Sequence, residues 1–298
     1  MDYRLGRRPP KGAPALMLGP LLTGKIPAHP ASEDYLAALG GGWQMLGNDQ
    51  YGDCVAVTWA NVRRLVTAVI GPGERYPTMA DVIEVYKTQN PGFPSQDDGM
   101  DIQTLLEWLV STGGPDGVKA LAFAKVDLSS KDEVEAALAI FGFLWTGINV
   151  QRANMDDFDA GRPWDYHPGS PVEGGHSVVS GGYTGAASGA DERFITWAAE
   201  TSFTDAFWAR EAEEAWVVIW PEHLGTGTFE QGIDQKALAD AYTALTGRPF
   251  PVAPGPRPDP ADAALADSVR VWASARHSGA NRRAAMAVEA WLTAKGLA

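Results

Sequence analysis

The chain has 298 residues, 45% of them hydrophobic and 20% charged, with one cysteine and a formal net charge of −13 at pH 7. So much apolar material excludes disorder throughout, and the length suits one large domain or two smaller ones. Basic residues cluster only in short pairs such as Arg7-Arg8 and Arg282-Arg283, which excludes the concentrated positive charge that a nucleic-acid partner requires.

Residues 1–32 are rich in Pro and Gly and read as an extended arm that lies over a body or trails from it. Prolines break the apolar patch that follows its basic residues, so it is not read as a secretion signal. From Cys54 to Val69 apolar residues recur at helical spacing, ended by Gly71-Pro72-Gly73. Further helices are expected over Met79–Thr88, over Asp101–Val110 and over Lys131–Ala139, the last opening on a capping-box pair, Ser130 and Glu133. Four β-branched and aromatic runs follow at 143–150, 176–184, 193–199 and 214–220. Helices first and strands afterwards predict an α+β body over 33–245, with a helical half packed on an antiparallel β half. A helix is expected over Asp234–Leu245, then a Pro-rich linker over 246–260 and a C-terminal helical hairpin over 261–298. The longest apolar run, 136–150, falls short of the roughly 18 to 20 residues that cross a bilayer, so no membrane partner is expected.

Cys54 stands at the first turn of its helix, after the turn-forming stretch "GNDQYGD". Unpaired backbone N–H groups and the helix dipole favour an anion there, which predicts a lowered thiol pKa. One cysteine closes no internal disulfide, so the expected location is the cytoplasm or a particle assembled there. A cysteine nucleophile needs a base, and among the five histidines His176 has the suggestive setting, at the start of a strand after Gly174-Gly175. The histidines are scattered and no second cysteine exists, so no metal motif is read. No Gly-rich phosphate loop follows a strand, and no cofactor is expected.

"NDQYGDCVAVTWA" followed by "GGHSVVSGGY" resembles the papain-like cysteine peptidases, in which a Gln-containing turn leads to a Cys at a helix start and a Gly-His-Ala-Val-like strand carries the base. "DDGMDIQTLLEWLVSTGG" and "SSKDEVEAALAIFGFLWTGINV" also resemble family elements in order, so the likeness covers about residues 43–220. "LGNDQYGDC" is similar in wording to uncharacterised papain-like proteins of actinobacteria and their phages. The resemblance implies a papain-like fold in which Cys54 attacks a carbonyl carbon and His176 holds the thiolate and protonates the leaving amine. It puts Asn48 where the family has its oxyanion-hole glutamine, with Gln50 as the rival donor.

The family's Asn, which orients the histidine, is absent from "FITWAAETSFTDAFW", and Ala199 or Glu200 falls at that place. Glu200 is taken as the third catalytic residue, with Asp205 as another candidate and Trp197 or Trp208 as the covering indole. The resemblance implies a peptide or protein substrate hydrolysed through a Cys54 acyl-enzyme. The alternative is a catalytically impaired papain-like scaffold that works as a virion-associated or assembly protein, binding a partner or its own copies through the arm and the hairpin. "DCVAV" also resembles the helix start of NlpC-type cell-wall peptidases, but a separation of 122 positions from Cys54 to His176 is too long for that compact domain.

Overall fold

The computed structural model describes residues 3–12, 16–24, 26–71, 73–185 and 190–251. The chain divides into two units, Met1–Pro251 and Val252–Ala298. The second unit, with the expected hairpin and most of the expected linker, lies outside the described residues.

In chain order the first unit carries β1 (Glu33–Asp34), α1 (Cys54–Val69), α2 (Met79–Lys87), α3 (Ile102–Ser111), β2 (Ala122–Lys125), α4 (Lys131–Phe141), β3 (Leu144–Gln151) and α5 (Arg152–Asp159). Then come β4 (Val172–Tyr183), β5 (Ala190–Thr196), β6 (Ala199–Thr204), α6 (Asp205–Glu211), β7 (Ala212–Ile219), α7 (Gly227–Gly232) and α8 (Gln235–Thr246). The strands form one antiparallel sheet in the order β2-β7-β3-β4-β5-β6, with β1 paired to β4. This is the α+β arrangement expected from the order of helices and strands. Among the described residues no helix is long and apolar enough to cross a membrane.

Every residue of α1 from Cys54 to Thr67 is buried, so this helix is central and not a surface amphipath. Its buried Arg63 is paired inside, with Asp116 at 2.6 Å and with Glu222 at 2.7 Å. Successive residues of a strand point to opposite faces, and here both faces are covered. Val179 of β4 joins the large core that includes Trp59, Leu65 and Trp145 of the helical side. Val178 joins a second cluster with Ile148, Trp164, Phe194 and Phe203. Two-sided burial explains why β3 reads as a nearly unbroken apolar run and not as an alternating one.

Helix starts follow their caps. The Thr78 and Asp101 side chains accept from Asp81 N and Thr104 N, as Ser130 Oγ does from Glu133 N at 3.2 Å. Glu133 does not complete the capping box expected at Ser130, because its carboxylate accepts from Asp127 N at 3.0 Å instead. The run 193–199 is not one strand. Trp197 and Ala198 both have positive φ, 43° and 63°, and reverse the chain so that Ala199–Thr204 pairs back on β5. Left-handed backbone costs an ordinary residue about 1 kcal/mol or more, so this turn is held by its surroundings and is not encoded by glycine. Strands β1, β2 and β6 and helices α5, α6 and α7 have no counterpart among the elements expected from sequence.

Ser130→Ala should destabilise the protein by about 1 kcal/mol through loss of the α4 cap. Urea unfolding should show a lower midpoint at unchanged slope.

Candidate active site

Strand β4 lies against the first turns of α1 through a chain of hydrogen bonds. Trp145 Nε1 donates to Ser177 Oγ at 2.9 Å, Ser177 Oγ to Thr58 Oγ1 at 3.0 Å, and Thr58 Oγ1 to the Cys54 carbonyl at 2.8 Å. The Ser177 backbone N–H faces the Cys54 thiol. His176 is the neighbouring residue, fully enclosed, with Nε2 2.7 Å from Thr196 Oγ1. Its Nδ1 is buried and makes no hydrogen bond. The imidazole stacks on Trp197, centroid to centroid 4.8 Å at 30°, so the indole at the positive-φ turn covers the ring.

The third position differs from the expectation. Glu200 is not brought to His176: it accepts from Trp43 Nε1 at 3.3 Å and from Arg193 at 2.7 Å. Thr196, the last residue of β5, is on the histidine instead. The turn at 197–198 sends Ala199 and Glu200 onto the next strand, and a count along one continuous strand could not place them. Of the other candidates named from sequence, Asp205 pairs with Lys131 at 3.2 Å and Trp208 donates to the Leu128 carbonyl at 3.3 Å. The covering indole is Trp197. Asn48 is buried just ahead of α1, with Nδ2 donating to the carbonyls of Tyr51 and Arg4 at 3.2 Å each. Gln50 is solvent-exposed.

The Arg4 carbonyl belongs to the arm, which the sequence left either over the body or trailing from it. Residues 3–8 lie in extended form across the cleft. Gly6 N and Arg7 N donate to the Gly175 carbonyl at 3.2 and 3.0 Å. On the opposite wall Met100 N donates to Gly6 O at 2.7 Å and Arg8 N to Met100 O at 2.7 Å. The Gly6 backbone N–H also faces the Cys54 sulfur. Glycine makes this approach possible: a Cβ on Gly175 would fall 2.3 Å from Arg7 O, and one on Gly6 would fall 1.9 Å from Gly52 O. Tyr3 stacks on Trp197 at 4.3 Å and donates to Asp159 at 2.7 Å, adding a second ring above the histidine.

Enclosure sets the electrostatics. Burial pushes the Cys54 thiol up to about 12, against the smaller favourable effects of the Ser177 and Gly6 N–H groups. The lowering expected from the helix start is therefore outweighed, because desolvation of a charge exceeds a terminal dipole. Burial, with the Arg7 charge, pulls His176 down to about 3. With the arm in place the thiol and the imidazole are both neutral. Asp53, immediately before Cys54, is also buried, and burial raises its carboxyl to about 8. The Asn48 amide and Asp53's own backbone N–H oppose that rise by a smaller amount.

The sequence showed no metal motif. Donor atoms of His29, Asp132 and Glu135 nonetheless lie within 4.8 Å of one another, where residues just ahead of β1 meet α4. Linear spacing could not reveal this trio, since His29 and Glu135 are 106 positions apart.

No protein-family model matches the sequence, and no curated protein does. Solved structures do match in fold. Xylellain, a cysteine protease from Xylella fastidiosa, is 14% identical, with a TM-score of 0.56 over 73% of this chain and 96% of its own. The procathepsin B S9 structure from Trypanosoma congolense is 14% identical, with a TM-score of 0.50 over 73% of this chain and 86% of its own. The chain has a papain-like α+β fold.

The Asp53 carboxyl, raised on folding from 3.8 to about 8, contributes stability that is present below the unfolded pKa and lost as pH rises through the folded one. Asp53→Asn should therefore gain stability over the wild type as pH rises from about 4 to 8, by at most about 1.4 kcal/mol per unit. Urea midpoints measured for both proteins across that range give the comparison.

Proposed function

We propose that the protein is a papain-like cysteine peptidase whose arm occupies its own cleft, and that it hydrolyses a peptide or amide bond once the arm is displaced. One observation carries the reading. An extended stretch of polypeptide lies across Cys54, hydrogen-bonded to Gly175 on one wall and Met100 on the other, with a carbonyl on the Asn48 amide. A cleft that takes extended backbone in this way suits a peptide or protein substrate.

In the proposed reaction His176 Nε2–H is donated to Thr196, leaving the Nδ1 lone pair to take the Cys54 proton. The thiolate sulfur bonds to the substrate carbonyl carbon, and the oxyanion is received by the Cys54 backbone N–H and Asn48 Nδ2, a stabilisation worth about 3 kcal/mol. The C–N bond breaks as His176 returns its proton to the amine. Water then attacks the thioester with His176 as base, releasing the acid and restoring the thiol. Thr196 orients the imidazole in the role assigned from sequence to Glu200. The wording of "LGNDQYGDC" and the lone cysteine support an actinobacterial or phage setting and a cytoplasmic location.

A second reading, an inactive scaffold that binds a partner, is favoured by the deep burial that keeps both the Cys54 thiol and the His176 imidazole neutral.

In the full-length chain, Gly6→Val sets a side chain against the Gly52 carbonyl and should expel the arm. Iodoacetamide labelling of Cys54 at pH 7 should then quicken by about tenfold or more, as water reaches the thiol. The same variant should hydrolyse a fluorogenic peptide library, and the double variant with Cys54→Ala should not. A labelled, accessible Cys54 without hydrolysis of any peptide would sink the peptidase reading in favour of the scaffold.

A further inference from the structure

Arg7 carries a permanent charge into the interior, its side chain 1% exposed, where it meets Glu213 and Glu214. Nη1 donates to Glu214 Oε1 at 3.0 Å, Nη2 donates to Glu213, and Nη2 also reaches the Ile148 carbonyl and Asn149 Oδ1 at 3.3 Å. A planar fork with several fixed donors matches this set of acceptors, and a point-like ammonium does not.

The acceptors are positioned by the body and not by the arm. Trp216 Nε1 holds Glu214 Oε2 at 2.7 Å, and Asn149 Nδ2 holds Glu213 Oε1 at 2.9 Å. Glu214 is 0% exposed and Glu213 35%, so the pocket has a buried acid at its base and a half-open one at its rim. Room for the guanidinium stem exists because residue 147 is glycine: a Cβ there would lie 2.8 Å from Arg7 Cδ and 2.6 Å from Glu214 Cγ. The pocket opens one residue away from the thiol, since Gly6, the neighbour of Arg7, faces Cys54.

A buried carboxylate left without its cation is strongly disfavoured, so a body built around Glu214 needs an occupant whenever the arm is out. We propose that the Glu213–Glu214 pocket is a guanidinium subsite, filled by Arg7 in the closed protein and by an arginine side chain of an incoming peptide in the open one. The word substrate in this inference rests on the peptidase reading; the binding preference does not.

The test uses the full-length Gly6→Val variant and a fluorescent peptide copying residues 3–9. Replacing the position-7 arginine of the peptide with leucine should weaken binding by about tenfold or more, the span of lost charge-assisted hydrogen bonds, with lysine in between. Glu213→Gln in the same protein should shrink that difference. If Gly6→Val does not fold, full-length Arg7→Ala serves: its quickened Cys54 alkylation should be slowed again by added ethylguanidinium and not by ethylammonium. Equal binding of the arginine and leucine peptides, or equal effects of the two cations, overturns the subsite. Discrimination between the peptides without cleavage of either sustains the subsite while counting against the peptidase.

Discussion

The hydrogen-bonded run from Trp145 through Ser177 and Thr58 to the Cys54 carbonyl fastens the first turns of the central helix to the middle of the sheet. Everything at the site depends on that junction. It sets the Ser177 N–H on the thiol, and His176 and Gly175 are brought in with it because they are the preceding residues of the same strand. The partners are fully enclosed, where a hydroxyl or indole N–H left unpaired would be costly, so the register between α1 and β4 has little freedom to slip.

Enclosure also decides the chemical state of the pair. A thiol at a helix start is favoured as an anion, and an imidazole beside it as a cation, only where water or counter-charges compensate them. With residues 3–8 lying over the cleft, both groups are desolvated and both are neutral. The arm is held by main-chain bonds to both walls, by the Tyr3 ring on Trp197 and by the Arg7 guanidinium between two acids. These contacts differ in kind: the main-chain bonds fit any extended peptide with a glycine at the crossing, whereas the guanidinium pocket is particular about what enters it. Closure and recognition thus draw on the same surface.

Thr196 shows how a local strain can redefine a site. The left-handed turn at Trp197 and Ala198 is unfavourable on backbone grounds, yet it sets the indole flat on His176 and ends β5 with Thr196 Oγ1 on Nε2. Stacking of Tyr3 and of the imidazole on that indole, with Phe158 at its edge, offsets the strain. The outcome is a histidine oriented by a hydroxyl and shielded by an aromatic ring, with Glu200 turned away toward Trp43 and Arg193.

The sequence by itself determined what local physics controls. Helical periodicity and caps placed α1 to α4 within a few residues, β-branched runs placed β3, β4 and β7, and the order of these elements gave the α+β class. The turn before Cys54 and the two glycines before His176 marked the two residues that share the Ser177 junction. Only the tertiary structure decided the rest. The reversal at Trp197 has no turn-forming residue to announce it and exists because of ring packing, so the place of Thr196 and Glu200 could not be counted out. The thiol's ionisation state could not be read from its helix position, because burial in the assembled fold outweighs the dipole. The meeting of Arg7 with Glu213 and Glu214 spans more than two hundred positions, and no spacing rule reaches that far: charges so distant in sequence are paired by the fold and not by their neighbours.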